Sequence, residues 1–245
     1  MNFDSVLSRH ERIALQFSGG KDSIAVLYVM KPYWDRVTVY FCNSGDPLPE
    51  TLEIWNVIRD MVPNSVEIQG ARKETASSLG LPSDVVPTTS TWYGRNIAGD
   101  TGFPIVDRYT CCLFSIMQPL HDQMVKDGVT LIIRGQRNAD KNKSPVRSGD
   151  VKDGIEFLFP IQEWSDREVF DYLTEVSAPV PPYYDAGMSS APDCLGCTAW
   201  LEHGLPQYLK KKHPAQSAVT TQNLVRIARA VRESSKILEK YDVVL

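Results

Sequence analysis

Apolar residues in the first seventy positions come in short runs that alternate between two spacings. RIALQF (12–17) is a compact run of strand formers; a Gly-Gly pair follows, and SIAVLYVM (23–30) is apolar enough to be a buried helix. RVTVYFC (36–42) reads as a second strand closed by the turn NSGDP. PETLEIWNVIRDMV (49–62) opens on Pro, carries an early acid and has helical spacing, and SVEIQ (65–69) is a third short strand. Strand, helix, strand, helix, strand predicts an α/β fold with a doubly wound parallel sheet.

The rhythm stops at residue 71. The segment 71–110 is crowded with Gly, Pro, Ser and Thr and sets Trp92 beside Tyr93. It predicts a long, partly ordered excursion of the kind that serves as a lid. The α/β pattern resumes with a helix over 113–125, strands over 129–135 and 156–161, and a helix over 165–176. After the proline-rich APVPPYYDAG come a Cys-Leu-Gly-Cys stretch and a helical tail. No internal repeat is present.

Composition narrows the class without changing the fold. A hydrophobic share of 42% and a charged share of 23% are those of a soluble globular protein, in 245 residues that suffice for one large domain. No apolar run approaches the roughly 18 residues of a membrane span, and the first residues lack a signal-peptide pattern. The expected compartment is the cytoplasm, where thiols stay reduced and clustered cysteines mean metal or redox chemistry. Charge is uneven: residues 205–245 hold eight Lys/Arg against three acids, and the remainder eighteen against twenty-seven. Within that tail, residues 222–241 are amphipathic, with Leu224, Ile227, Val231 and Leu238 on one stripe and Arg226, Arg229, Arg232, Lys236 and Lys240 largely elsewhere. A solvated surface helix accounts for this pattern; a face toward nucleic acid or an acidic protein is the functional alternative.

The sharpest chemical signal is FSGGKDS (17–23), set between a strand and a helix. Gly19 and Gly20 let the backbone approach an anion, Ser18 and Ser23 supply hydroxyls, and Lys21 a point charge at the helix N-terminus. It is not a Walker A loop, because Asp22 follows the lysine and the four-residue spacer is missing. The second signal is the cysteines, five in all. Cys194 and Cys197 form a CxxC, a spacing shared by zinc sites, iron–sulfur sites and redox dithiols. Cys111 and Cys112 bring the set to four, and the second CxxC knuckle of a zinc ribbon is missing.

Ser-Gly-Gly-Lys-Asp-Ser resembles the pyrophosphate (PP) loop of the adenine-nucleotide α-hydrolase-like, Rossmann-like proteins, which include ATP pyrophosphatases, tRNA sulfur-transfer enzymes and the APS/PAPS (sulfonucleotide) reductases. The CC…CxxC set resembles the ligands of the [4Fe–4S] cluster in APS reductases. RYTCCLFSIMQPL, CNSGDPLPET, RGQRNADKNKSPVRSG, FPIQEWSDREVFDYL and PPYYDAGMSSAPDCLGCT are similar to further elements of the reductases, so the resemblance covers most of residues 12–200. It implies a PP-loop nucleotide-binding domain over 1–178 and, packed on it, a C-terminal region over 179–245 with the CxxC and the basic helix. It implies Lys21, Asp22 and Arg137 as catalytic residues. Ser18, Gly19, Gly20, Lys21, Asp22, Ser23, Gly45, Ser144 and Arg147 would hold ATP or APS/PAPS, with Mg²⁺ where the nucleotide is ATP, and Cys111, Cys112, Cys194 and Cys197 the cluster.

The chain departs from the reductase pattern in two places. The reductases carry a nucleophilic cysteine in a C-terminal Glu-Cys-Gly-Leu-His-like tail, whereas here no cysteine follows Cys197 and the remaining one is Cys42, at a strand end. Ser115 and Ile116 stand where the reductases keep basic residues. The expectation drawn is an ATP-cleaving enzyme of sulfur transfer, with a sulfonucleotide reductase using a thiol supplied in trans as the alternative and a non-catalytic nucleotide-sensing subunit as the third. Partners left open are a sulfur or electron donor protein, a nucleic acid at the basic helix and a second copy in a homodimer; no membrane partner is expected.

Overall fold

The structure, a computed structural model, describes residues 3–141 and 144–240. The expectations that touch Asn142, Lys143 and 241–245 lie outside the described residues. From the N-terminus run α1 (Phe3–Leu7), β1 (Ile13–Phe17), α2 (Lys21–Val29), β2 (Val37–Asn43), α3 (Pro49–Met61) and β3 (Ser65–Gln69). Next come α4 (Arg72–Leu79), β4 (Leu81–Ser83), α5 (Trp92–Asn96), β5 (Ile105–Asp107) and α6 (Arg108–Cys112), which passes through a π-helical turn (Leu113–Met117) into α7 (Gln118–Lys126). β6 (Leu131–Ile133), β7 (Val151–Lys152), β8 (Ile155–Leu158), α8 (Asp166–Glu175), α9 (Leu205–Lys212) and α10 (Pro214–Glu239) complete the order. Among the described residues no helix is long and apolar enough to cross a membrane.

The chain divides into two compact units. The first is Met1–Asn43, Pro47–Gln69 and Pro119–Asp185; the second is Ser44–Asp46, Gly70–Gln118 and Ala186–Leu245.

The first unit is the α/β fold that the sequence pattern predicts. Its six-stranded sheet has the order β3-β2-β1-β6-β8-β7, parallel throughout except for the β7–β8 edge pair. Side chains alternate along each strand. Ile13, Leu15 and Phe17, with Val37, Val39 and Phe41, face one layer, where Ile24 and Leu27 of α2, Trp55 and Ile58 of α3 and Val169 and Leu173 of α8 pack on them. Ala14, Tyr40 and Ile132 face the other, against Met124 of α7. Helices on both faces make β1, the strand that runs into the Gly-Gly loop, a central strand buried on each side. α8 starts where it does because Ser165 and Glu168 form a reciprocal capping box.

In the second unit the stretch expected to be a long, partly ordered excursion holds several regular elements. Residues 71–110 contain α4, α5 and a two-stranded parallel sheet of β4 and β5. Gly, Pro, Ser and Thr read as loop formers, but here they sit at element ends, as where the Thr91 side chain caps α5 by accepting from the Gly94 N–H. The helix expected over 113–125 is also recast: helical backbone begins at Arg108 and is interrupted by the π turn. Pro119 explains the interruption, since it has no N–H to give the carbonyl of Ser115 four residues earlier. That carbonyl accepts instead from the Ala71 N–H, at 2.9 Å.

Candidate anion loop and four-cysteine site

The Gly-Gly loop lies in the first unit, between the end of β1 and the first turn of α2. Gly19 has φ +77°, and a Cβ there would stand 2.8 Å from Thr51 Cγ2, so the position accepts only glycine. The two serines brace the turn: Ser23 Oγ donates to the Gly20 carbonyl at 2.8 Å and accepts from the Ser18 N–H at 3.3 Å. The Tyr183 hydroxyl donates to the Gly19 carbonyl at 3.4 Å, and the Tyr184 hydroxyl accepts from the Lys21 N–H at 3.0 Å. The Tyr184 oxygen thus takes up an N–H at the positive end of α2, where a phosphate oxygen would bind.

Lys21 and Arg137 are buried cations, with side chains 5% and 4% exposed. Lys21 Nζ lies 2.9 Å from Asp22 and 2.8 Å from Asp166 Oδ1. Arg137 Nη2 donates to Asp140 and Asp166, each at 2.9 Å. Its Nε lies 2.9 Å from Asp22 Oδ1 but off the N–H direction, so that contact is electrostatic and not an aligned hydrogen bond. Gly135 lets Arg137 arrive: a Cβ at 135 would stand 2.8 Å from the Asp22 backbone. Two cations and three carboxylates share the cluster, and the acids respond in opposite directions. Burial lifts Asp22 above the usual carboxylate value despite the pull of Lys21 and Arg137. Asp166, far more exposed, is held below that value, first by its hydrogen bond to Lys21. The arrangement can neutralise a phosphate once the carboxylates yield their cations.

The four cysteines all belong to the second unit. Cys111 and Cys112 end α6, and Cys111 lies 3.7 Å from the buried Ser115 hydroxyl in the π turn. The CxxC loop is shaped by Asp46, whose carbonyl accepts from the Leu195 N–H at 2.6 Å and whose carboxylate accepts from the Gly196 N–H at 2.9 Å. Arg108 ties the two cysteine segments together. It pairs with Asp84 at 3.1 Å and Glu202 at 2.9 Å, and its guanidinium lies 4.0 Å over the Trp200 ring, three residues past Cys197. Asp84 in turn accepts from the Trp200 N–H at 3.0 Å.

Each of the four thiols lies in the electrostatic field of at least one other. Burial, reinforced by the carboxylate of Asp193, pushes Cys112 up to about 12 and Cys194 well above the ordinary thiol value; burial also pushes Cys197 up to about 11. Among the described residues no three His, Cys, Asp or Glu side chains are grouped so as to hold a single metal ion.

The structure thus gathers Ser18, Gly19, Gly20, Lys21, Asp22, Ser23 and Arg137 in the first unit and the four cysteines in the second. Gly45, φ +88°, falls in the second unit, within the Ser44–Asp46 segment beside the CxxC loop. Ser144 and Arg147 lie in a turn of the first unit, where Ser144 Oγ accepts from Val146 and the Arg147 N–H donates to Asp150. Among the described residues no hydrogen bond or ion pair links either of them to the 18–23 loop. Cys42 is half-buried at the end of β2. Asp140, Asp166, Tyr183 and Tyr184 at the loop, and Asp46, Arg108 and Asp193 at the cysteines, stand outside the set expected from sequence. The Pro-Pro-Tyr-Tyr run is the signal that could have found the tyrosines.

Residues 12–200 match the phosphoadenosine phosphosulfate reductase domain. The chain is 22% identical to the phosphoadenosine 5'-phosphosulfate reductase of Gloeobacter violaceus, over 79% of this chain and 75% of that protein. It is 25% identical to the adenosine 5'-phosphosulfate reductase of Allochromatium vinosum, over 79% of this chain and 71% of that one. A crystal structure of the phosphoadenylyl-sulfate reductase of Candida auris, a phosphate complex, shares the fold with a TM-score of 0.53 at 16% identity, over 74% of this chain and 81% of that chain. The matched span takes in the Gly-Gly loop, Arg137 and all four clustered cysteines. The chain belongs to the phosphoadenosine phosphosulfate reductase domain family.

Proposed function

We propose that the protein is a sulfonucleotide reductase-type enzyme that binds APS or PAPS at the Gly-Gly loop and releases sulfite with a thiol supplied by a second molecule. The observation that carries this reading is the joint presence, within the family-matched residues, of a Gly-Gly loop with buried Lys21 and Arg137 beside it and of four cysteines set as an adjacent pair and a CxxC. Lys21 and Arg137 neutralise the nucleotide phosphate as Asp166 and Asp22 yield them, and the α2 N-terminus adds its N–H groups. The donor thiolate attacks the sulfur of the sulfonucleotide. A sulfur–sulfur bond forms, the sulfur–oxygen bond breaks, and AMP or its 3'-phosphate leaves with the electron pair. The donor's second thiolate then attacks the first donor sulfur, forming a disulfide and expelling sulfite, so two thiols are oxidised per sulfur reduced. The reading takes the donor as external because Cys42 is half-buried at a strand end and the other four cysteines are assigned to the cluster.

The four thiols suit a [4Fe–4S] cluster by donor type: two from consecutive positions of α6 and two from a CxxC, with Cys111 and Cys194 buried and Cys112 and Cys197 half-buried, each able to give up its proton on binding iron. Cys111, Cys112, Cys194 and Cys197 would hold it, and it would supply iron-centred charge and one-electron capacity.

The complete Ser-Gly-Gly-Lys-Asp-Ser loop favours a second reading, ATP cleavage between the α- and β-phosphates for sulfur transfer. One anaerobic comparison separates the two: purified protein with APS, PAPS or ATP, each with a reduced dithiol, assayed for sulfite and pyrophosphate. Sulfite from either sulfonucleotide supports the reductase; pyrophosphate from ATP without sulfite replaces it with the second reading.

A further inference from the structure

We propose that Tyr184 is a built-in competitor of the anion at the Gly-Gly loop: its hydroxyl stands in for a phosphate oxygen and keeps the loop closed until a nucleotide displaces it. The inference rests on the nucleotide loop of the reading above and adds a device that regulates it. The N–H groups of the loop already have acceptors. The Ser18 N–H donates to Ser23 Oγ at 3.3 Å and the Gly20 N–H to Ser18 Oγ at 3.4 Å. The Lys21 N–H, the first of α2, donates to the Tyr184 hydroxyl at 3.0 Å, the shortest of the three and the one whose acceptor comes from outside the loop. The other end of the lysine is held as well, with Nζ 2.9 Å from Asp22 and 2.8 Å from Asp166.

A stiff turn delivers Tyr184 to this position. Pro181 and Pro182 fix two backbone φ angles before it, and the Tyr184 N–H donates back to the Pro181 carbonyl at 3.3 Å. Tyr183 is fully buried and anchors the turn through its hydroxyl on the Gly19 carbonyl, at 3.4 Å. The Tyr184 ring lies 4.9 Å from that of Tyr183 and stands edge-on to Phe170 of α8 at 5.5 Å, and Lys21 Nζ lies 5.9 Å over the same Phe170 ring. Two adjacent tyrosines thus grip the loop from one turn. Tyr183 takes a carbonyl, which an anion does not use, and Tyr184 an N–H, which an anion does. Burial lifts Tyr184 well above the ordinary tyrosine value, so the competing oxygen is neutral. Hydrogen bonds to a charged phosphate oxygen are roughly twice as strong as those to a neutral one, so the nucleotide takes the N–H from it. Tyr184 is half-buried and can leave by rotation of its side chain while Tyr183 stays in place.

The test is isothermal titration of inorganic pyrophosphate and of AMP into the wild type, Tyr184→Phe and Tyr184→Leu. Both variants are expected to bind both ligands about fivefold tighter, the share that one neutral hydrogen bond contributes. The direction is diagnostic, because loss of a residue that only supports the fold weakens binding. Unchanged affinity overturns the competitor. Weaker binding in Tyr184→Phe, which keeps the ring and its contacts, also overturns it and makes the hydroxyl part of the anion site. Either result, with a wild type that binds, leaves the proposed function standing. A wild type that binds neither ligand overturns the nucleotide loop itself, and this inference with it. Circular dichroism identifies a variant that fails to fold. If one fails, the other decides by the same titration; loss of fold in both overturns the proposal, since a side chain that the fold requires is not one that a ligand displaces.

Discussion

Lys21 meets two carboxylates and Arg137 three, so the loop binds no anion without a rearrangement of charge. Asp166 is the weakest hold on both, being 69% exposed at the start of α8. Asp166→Asn is therefore expected to tighten inorganic pyrophosphate or AMP binding about fivefold, equal to roughly 1 kcal/mol for a solvent-screened pair, in isothermal titration. Weaker binding in that variant would show Asp166 to be part of the binding surface and not a competitor. Lys21, Asp22 and the serines were legible in the sequence because one short motif carries them in order between strand and helix. Asp166 and Tyr184 were not, because nothing local marks an aspartate or a tyrosine more than a hundred residues away as the neighbour of Lys21.

Among the elements, the strands of the first unit were legible because each is a short apolar run whose alternate residues face two helix layers. The second unit was harder to read: β4 and β5 have three residues each, and their order comes from distant partners such as the Thr198 hydroxyl on the Pro82 carbonyl. α6 meets the segment after the CxxC through Arg108 and through Tyr109, whose ring stands edge-on to Trp200 with centroids 5.5 Å apart. Arg108→Ala removes two ion pairs and two cation–π contacts, each partly screened, and is expected to destabilise by about 1–2 kcal/mol, seen as an earlier urea midpoint in tryptophan fluorescence. An unchanged midpoint would mean that Asp84 and Tyr109 hold Trp200 without Arg108. At the sheet edge, Glu156 accepts from Arg9 at 2.7 Å and contacts His10 at 2.9 Å, fastening the segment after α1 to β8. Although burial opposes it, the hydrogen bonds from Arg9 and His10 hold Glu156 below its ordinary 4.5. A lowered native value means stability that is complete above 4.5 and lost as pH falls through the native value. Urea midpoints below that pH should fall for the wild type and fall less for Glu156→Gln; parallel curves would remove Glu156 from the acid response.

At the scale of the whole molecule, the fold class and the family were legible, since a family pattern spread over most of the chain carries them. The division into two interleaved units was not, because it depends on which segments pack together and not on any boundary in composition. The basic tail shows how little charge pattern alone decides: α10 turns Ile227 inward, and Arg226 of its basic set lies 4.1 Å over the Phe103 ring. The central claim is that this chain, with an external dithiol, moves two electrons to a sulfonucleotide sulfur. It is tested most directly by anaerobic turnover of ³⁵S-labelled APS and PAPS with a reduced dithiol protein, counting labelled sulfite and thiols consumed for the wild type and Lys21→Met. The account predicts one sulfite for every two thiols lost from at least one of the nucleotides, and loss of that turnover in the Lys21 variant. No sulfite from either nucleotide, with pyrophosphate released from ATP under the same conditions, would contradict it.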